Sequence, residues 1–219
     1  MTPAFAPLNR RSLLKHTGRL AVGSAALTVG LQASAMTAPA TPRQPLGPFY
    51  PDKLPLDSDN DLLFVAGRPG QALGQPTHIY GQVRFADGTP VKDAAVEIWQ
   101  CDSYGRYIHS RDASRGRRDR NFQGFGRAIA DNEGRYRFRT IRPVAYPGRT
   151  PHIHFLIRED NIDRLVTQMY VEGEAQNRRD GLLNRVSDPL LRGALIVPLT
   201  PSPELGENAL SGRFDITVT

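Results

Sequence analysis

Polar and apolar residues alternate with period two through much of the chain after residue 76, the pattern of strands that bury one face. Arg135-Tyr136-Arg137-Phe138-Arg139 sets aromatics against guanidiniums, and Phe214, Ile216 and Val218 repeat the alternation near the C-terminus. Read this way, the chain predicts strands at 78–85, 94–100, 126–130, 135–141, 152–158, 165–171, 194–200 and 213–219. Asp87-Gly88 and Asp131-Asn132-Glu133-Gly134 supply turn chemistry between them. Short strands at this spacing predict an all-β, antiparallel β-sandwich over 76–219. A helical signal shows only at 180–185 and is weak. Residues 36–75, rich in Pro and Gly, predict an extended N-terminal arm, and no internal repeat is evident.

The first 35 residues differ from the rest. Asn9-Arg10-Arg11-Ser12-Leu13-Leu14-Lys15 has the form of a twin-arginine signal, a mildly apolar run follows to Leu31, and Ala33-Ser34-Ala35 offers a small-residue cleavage site. The run is too short and too rich in Gly, Ala and Ser for a membrane anchor. The expectation is a Tat signal at 1–35, handled by the Tat export machinery, with the mature protein periplasmic or secreted. That segment carries four basic residues and no acid, so the formal charge of +6 falls to +2 without it (28 basic against 22 acidic residues becomes 24 against 22). The remaining basic cluster, Arg111, Arg115, Arg117, Arg118 and Arg120, is interrupted by Asp112 and Asp119 and lacks stacking aromatics. No nucleic-acid partner is expected from it; a solvated loop, or one that steers anionic aromatic acids, fits better. The lone Cys101 excludes an internal disulfide and reads as a small buried hydrophobe.

The chemistry concentrates in few residues. His152 and His154 share one face of a predicted strand, so their imidazoles can reach one ion, while Ile153 and Phe155 turn to the apolar side. A His-x-His pair alone is more often a surface or hydrogen-bonded pair, and a tyrosine alone is more often core. Here Tyr146 lies six residues upstream across a Pro147-Gly148 turn, and Tyr107 follows the predicted second strand. Two imidazoles with two phenols suit a hard trivalent ion, since phenolate oxygens are anionic donors; Fe(3+) is the expected cofactor. His78 reads as structural and His109 as lying near the site without being part of it.

Val96-Glu97-Ile98-Trp99-Gln100-Cys101-Asp102-Ser103-Tyr104-Gly105-Arg106-Tyr107 resembles the first iron-ligand motif of the intradiol ring-cleavage dioxygenases. Asn121-Phe122-Gln123-Gly124-Phe125-Gly126-Arg127 and Tyr136 to Ile141 resemble the family's central segment, and Arg149 to Phe155 its histidine motif. The resemblance runs from Leu46 to the C-terminus and is similar to the beta-type chains of protocatechuate 3,4-dioxygenase. It implies a prealbumin-like or Ig-like β-sandwich, with Tyr107, Tyr146, His152 and His154 as ligands of Fe(3+). It also implies Arg149, Tyr146 and Gln168 in catalysis: Tyr146 as a ligand that leaves and takes a substrate proton, Arg149 as a stabiliser of ring charge, Gln168 as its partner. The substrates would be a catechol-type ring and O2, cleaved between the hydroxyl-bearing carbons to a muconate-type diacid, and homo-oligomers are common in such a family. One departure stands out: only Pro147 and Gly148 separate Tyr146 from Arg149, where the protocatechuate-cleaving relatives have a longer loop lining the substrate mouth. Which catechol is cleaved does not carry over.

Two other classes remain. The β pattern also resembles prealbumin-like modules that bind surfaces without catalysis, which would give the four donor residues no common purpose. A divalent-metal hydrolase would expect carboxylate ligands, and the acids here fall mainly at turns.

Overall fold

In the computed structural model the residues described are 38–112 and 116–219; the twin-arginine motif, the cleavage site and Arg115 lie outside them. The alternating stretches become β1 (Pro76–Phe85), β2 (Ala95–Trp99), β3 (Phe125–Ile129), β4 (Arg135–Ile141), β5 (His152–Glu159) and β6 (Ile162–Val171). Shorter strands follow: β7 (Ile196–Val197), β8 (Thr200–Pro201), β9 (Leu210–Arg213) and β10 (Ile216–Val218). They form two five-stranded sheets. In one, β1 pairs with β4, β9 and β10, and β8 adds to β9; in the other the order is β3-β2-β5-β6-β7. Ile79, Val83 and Phe138 from the first sheet, with Phe214 between β9 and β10, meet Val96, Ile98, Ile153, Phe155 and Met169 from the second in one core. The Phe155 and Phe214 rings lie 5.1 Å apart across it. Each such side chain removed from water contributes about 1.5–3 kcal/mol, which makes this shared layer the principal cohesion of the fold.

Three expectations change. The sheets are mixed rather than antiparallel, because β9 and β10 run parallel to β1 and β7 runs parallel to β6. Parallel neighbours need long crossovers, and the chain between β6 and β7 supplies one. It contains 3-10 turns at Ala175–Arg179 and Leu183–Arg185 on either side of Asp180, then a helix, α1 (Pro189–Gly193). Asp188 starts α1 by accepting from Leu190 N (2.8 Å). The helix is too short to leave a periodic signal. Second, the strand expected at 194–200 is two strands, since Pro198 brings no N–H to a ladder. Third, the strand expected at 213–219 begins earlier and is interrupted, because Gln82 N donates to the Asp215 side chain (3.0 Å).

The arm has no regular element, yet it does not hang free. Leu62 and Leu63 are fully buried in the core, and Leu62 N donates to Arg139 O (2.7 Å). A β-carbon on Gly126 would lie 2.5 Å from Leu62 Cδ1 and 2.6 Å from Asp59 O, so β3 accepts the arm only because that residue is glycine. Further upstream, Thr41 N donates to Thr217 O and Gln44 N to Val166 O (both 2.9 Å), carrying the arm from one sheet to the other.

Candidate metal centre

Strand β5 is buried along both faces from His152 to Ile157. Ile153, Phe155 and Ile157 fill the core. His152 and His154 take the other face, which the arm and two loops cover, and their Nε2 atoms stand 3.2 Å apart. Two nitrogens bound at about 2.1 Å to one ion with a near-right angle between them would sit at about 3 Å, so the pair is already spaced for a shared cation.

The rings are held differently. His152 Nδ1 donates to Thr150 O (2.6 Å), which leaves its Nε2 lone pair free for the site. His154 Nδ1 is buried without a partner; its ring instead stacks on Trp99 at 4.7 Å and 10°. Trp99 and His154 are partners across β2 and β5, so the register itself makes the stack. Both imidazoles are kept neutral: burial, then Arg149, pushes His152 down to about 4, and burial with the adjacent His152 pushes His154 well below its usual value. Neutral imidazole is the form that binds metals.

Tyr107 reaches the pair from the loop after β2. Asp102 Oδ1 accepts from Tyr104 N (2.9 Å) and Arg106 N (3.0 Å), and Gly105 takes a positive φ that completes the turn. Asp112 then accepts from Tyr107 N (2.7 Å). The buried phenol ends 3.4 Å from His152 Nε2. Tyr146 comes from the loop before β5. Tyr146-Pro147-Gly148-Arg149 closes as a turn, Arg149 N donating to Tyr146 O (2.9 Å) with Gly148 at φ +82°, the arrangement Pro-Gly favours. The Tyr146 ring lies 5.4 Å from His152 and 5.5 Å from Tyr107. Burial raises both phenols, Tyr107 far above its usual value, so only a strong nearby cation would ionise them. Four neutral donors converging in a buried spot fit a metal ion.

Arg149 and Gln168 lie beside them. The guanidinium donates from Nε to Asp180 Oδ2 (2.8 Å) and from NH2 to Gln168 Oε1 (2.6 Å), and its NH1 stands 3.4 Å from Tyr146 Oη. Burial works against its charge, but Asp180 carries its pKa above the usual value. Asp180 also accepts from Thr150 N (3.1 Å), the residue whose carbonyl orients His152. A cavity of about 510 Å³ opens here, lined by Tyr146, Arg149, Gln176, Arg179 and Asp180. A larger cavity of about 900 Å³ between β3 and β4 contains none of the expected site residues.

Sequence reading missed Asp180, Thr150, Trp99 and Phe49, whose ring stacks on Tyr107 at 4.9 Å. None left a signal in the sequence: Trp99 meets His154 through the β2–β5 register, and the rest act by tertiary approach. His109 stays outside the donor set, its Nδ1 accepting from Arg111 N (3.0 Å). Arg118 and Arg120 line a separate cavity with Ile108 and Phe122, not the one at Tyr146. Cys101 is buried against Val144 O with its thiol pushed up to about 12 by burial, an inert hydrophobe. Among the described residues no three His, Cys, Asp or Glu side chains gather as a group that could hold a metal ion.

Residues 46–219 match the protein family described as Dioxygenase. The chain is 40% identical to the protocatechuate 3,4-dioxygenase beta chain of Burkholderia cepacia over 169 residues, covering 74% of this chain and 65% of the relative. It is 31% identical to the hydroxyquinol 1,2-dioxygenase of Rhodococcus opacus over 219 residues, covering 88% and 69%. It thus spans about two thirds of the length of these curated relatives. Among solved structures, the intradiol ring-cleavage dioxygenase of Tetranychus urticae superposes with a TM-score of 0.65 at 20% identity, covering 83% of this chain and 95% of that one, a likeness of fold.

Proposed function

The chain belongs to the intradiol dioxygenase family, and from that premise we propose that it cleaves a catechol-type ring between its two hydroxyl-bearing carbons. Dioxygen is the second substrate, and both its atoms enter a muconate-type diacid. The observation that carries the reading is the convergence of two neutral imidazole nitrogens, 3.2 Å apart, with two phenols at one end of β5. Tyr107, Tyr146, His152 and His154 would hold Fe(3+), which when bound draws electron density from a catecholate and opens its ring carbons to O2.

The residues divide the remaining work. Tyr107 is buried and its backbone is tied by Asp112, so it serves as the permanent phenolate. Tyr146 is half-buried at the cavity and takes a substrate hydroxyl proton at its Oη. Arg149, locked by Asp180 and Gln168, presents fixed positive charge where the ring accumulates electrons. Gln168 is a positioning residue for that guanidinium. Phe49, stacked on Tyr107, keeps water from the phenol. The cavity of about 510 Å³ beside Tyr146 and Arg149, which Tyr107, His152 and His154 do not line, has room for a single aromatic ring.

The reading extends to the setting. Arg10-Arg11 in the N-terminal motif supports Tat export to the periplasm or beyond, and the two-sheet core supports a prealbumin-like sandwich. Homo-oligomeric assembly rests on the family resemblance. No helix among the described residues is long and apolar enough to cross a membrane. The non-catalytic binding module is the second reading, and it gives the converging donors no role.

Visible spectroscopy of iron-loaded wild type, Tyr107→Phe and Tyr146→Phe, with and without anaerobic catechol, tests the proposal together with product mass. Tyrosinate-to-iron absorption should colour the resting protein. The catechol complex of Tyr146→Phe should match wild type, whereas that of Tyr107→Phe should differ. A colourless protein with stoichiometric ferric iron would sink the ligand set, and absence of iron would favour the binding module.

A further inference from the structure

Strand β2 carries a buried charge that the chemistry above does not use. Glu97 is fully buried, two residues before Trp99 on the same face. Its Oε1 accepts from Arg127 Nε (3.0 Å) and Arg158 NH1 (2.8 Å), and Arg127 NH2 bonds the same oxygen. Its Oε2 accepts from Tyr50 Oη (2.8 Å). A carboxylate removed from water needs such partners, because each unpaired buried charge costs several kcal/mol. Two arginines already satisfy the charge; the bond to Tyr50 adds a fixed point on the arm.

That fixed point leads to the metal centre. The Tyr50 ring meets Trp99 edge-on at 5.0 Å and 86°, and Trp99 stacks on His154. His154 is the ring with no hydrogen bond at Nδ1; besides its Nε2 contact with His152, ring packing opposes its rotation about χ2, a broad torsion. His152, by contrast, has the Thr150 carbonyl. The arm passes the site at the same place: a β-carbon on Gly47 would stand 3.3 Å from His154 Cε1.

We propose that Glu97 and Tyr50 are positioning residues for the metal centre: the carboxylate fixes the Tyr50 ring, which holds Trp99, which holds the His154 imidazole toward the ion. The proposal rests on the reading that His154 is a ligand. The carbonyl-oriented histidine and the stacked histidine then answer to different parts of the chain, one to the β4–β5 loop and one to the arm.

The test measures the iron dissociation constant and the resting visible and electron paramagnetic resonance spectra of Tyr50→Phe and Glu97→Gln, beside thermal melting of the iron-free proteins. Loss of an outer partner typically weakens metal binding about 10–100-fold. Tyr50→Phe, which keeps the ring and deletes only the phenol bond, should reach the lower part of that range and shift the spectra while the iron-free protein melts close to wild type. Glu97→Gln should weaken binding further; if it does not fold, Tyr50→Phe decides alone. Wild-type affinity and spectra in Tyr50→Phe would overturn the proposal. So would iron loss that only follows lowered stability of the iron-free chain. Wild type that binds no iron would defeat the metal reading itself, a distinct result.

Discussion

Strands β4 and β5 both deliver a phenylalanine, Phe138 and Phe155, to the same core, yet one has an open outer face and the other carries two of the proposed donors. Along β4 the outward residues Arg135 and Arg137 are exposed while Tyr136 and Phe138 are buried. Along β5 the outward residues His152, His154 and Leu156 are buried as well. Alternation is satisfied in both; what differs is the cover. Over β5 lie the arm at Gly47 to Tyr50, the Tyr107 loop and the Tyr146 turn. Burying a strand's second face makes its imidazoles neutral and turns two phenols inward. A histidine in a strand is not enough: His78 on β1 is also buried at Nε2 without a hydrogen-bond partner, and among the described residues no tyrosine ring packs on it. The covering segments make the site.

The contrast can be broken most sharply at the pair itself. His152→Ala or His154→Ala should abolish stable iron binding and ring cleavage while circular dichroism still shows the β fold, since the core face of β5 is untouched. Normal iron content in either variant would mean that the covered face is not a metal site.

Next in size is Arg149, where Arg149→Gln should lower kcat on the order of 10²–10³-fold with iron retained, the scale for removing a preorganised electrostatic stabiliser. Asp180→Asn should give a smaller loss in the same sense, read by steady-state kinetics, because it loosens the guanidinium without deleting it. An unaffected kcat in Arg149→Gln would leave the arginine a loop salt bridge.

A third effect is pH. His152 is held at about 4 in the fold against an ordinary 6.5, so the unfolded chain takes up the proton first. This histidine's contribution to the stability of the iron-free protein is complete above about pH 6.5 and falls as pH drops toward about 4, by ~1.4 kcal/mol per pH unit. His154, pushed well below its ordinary value by burial, acts in the same direction. Unfolding free energies from urea titration of iron-free protein at pH 7.5 and pH 5 should therefore differ by ~2 kcal/mol or more. A flat profile would argue that the second face of β5 is wet.

The smallest effect belongs to β4. Arg137→Ala, on its open face, should change stability by no more than about 0.5 kcal/mol and leave the iron spectrum alone. A spectral change there would end the distinction between the two strands.

The six longer strands were legible because side-chain direction alternates locally, and six residues or fewer suffice to show it. The candidate donor set was legible in the same way, with His152 and His154 on one strand face and Pro147-Gly148 between Tyr146 and Arg149. Sequence also set the chemistry open to the candidate centre, since phenols and imidazoles restrict which ions would suit them. Tertiary structure decided the rest. Parallel pairing of β9 and β10 with β1 follows from where a long crossover returns, which no local period encodes. The partners of Arg149 and His154 come from Asp180 and Trp99, residues 31 and 55 positions away along the chain. A strand's own residues specify which way each side chain points; only the segments packed over it determine whether that direction ends in water, in the core or at an ion.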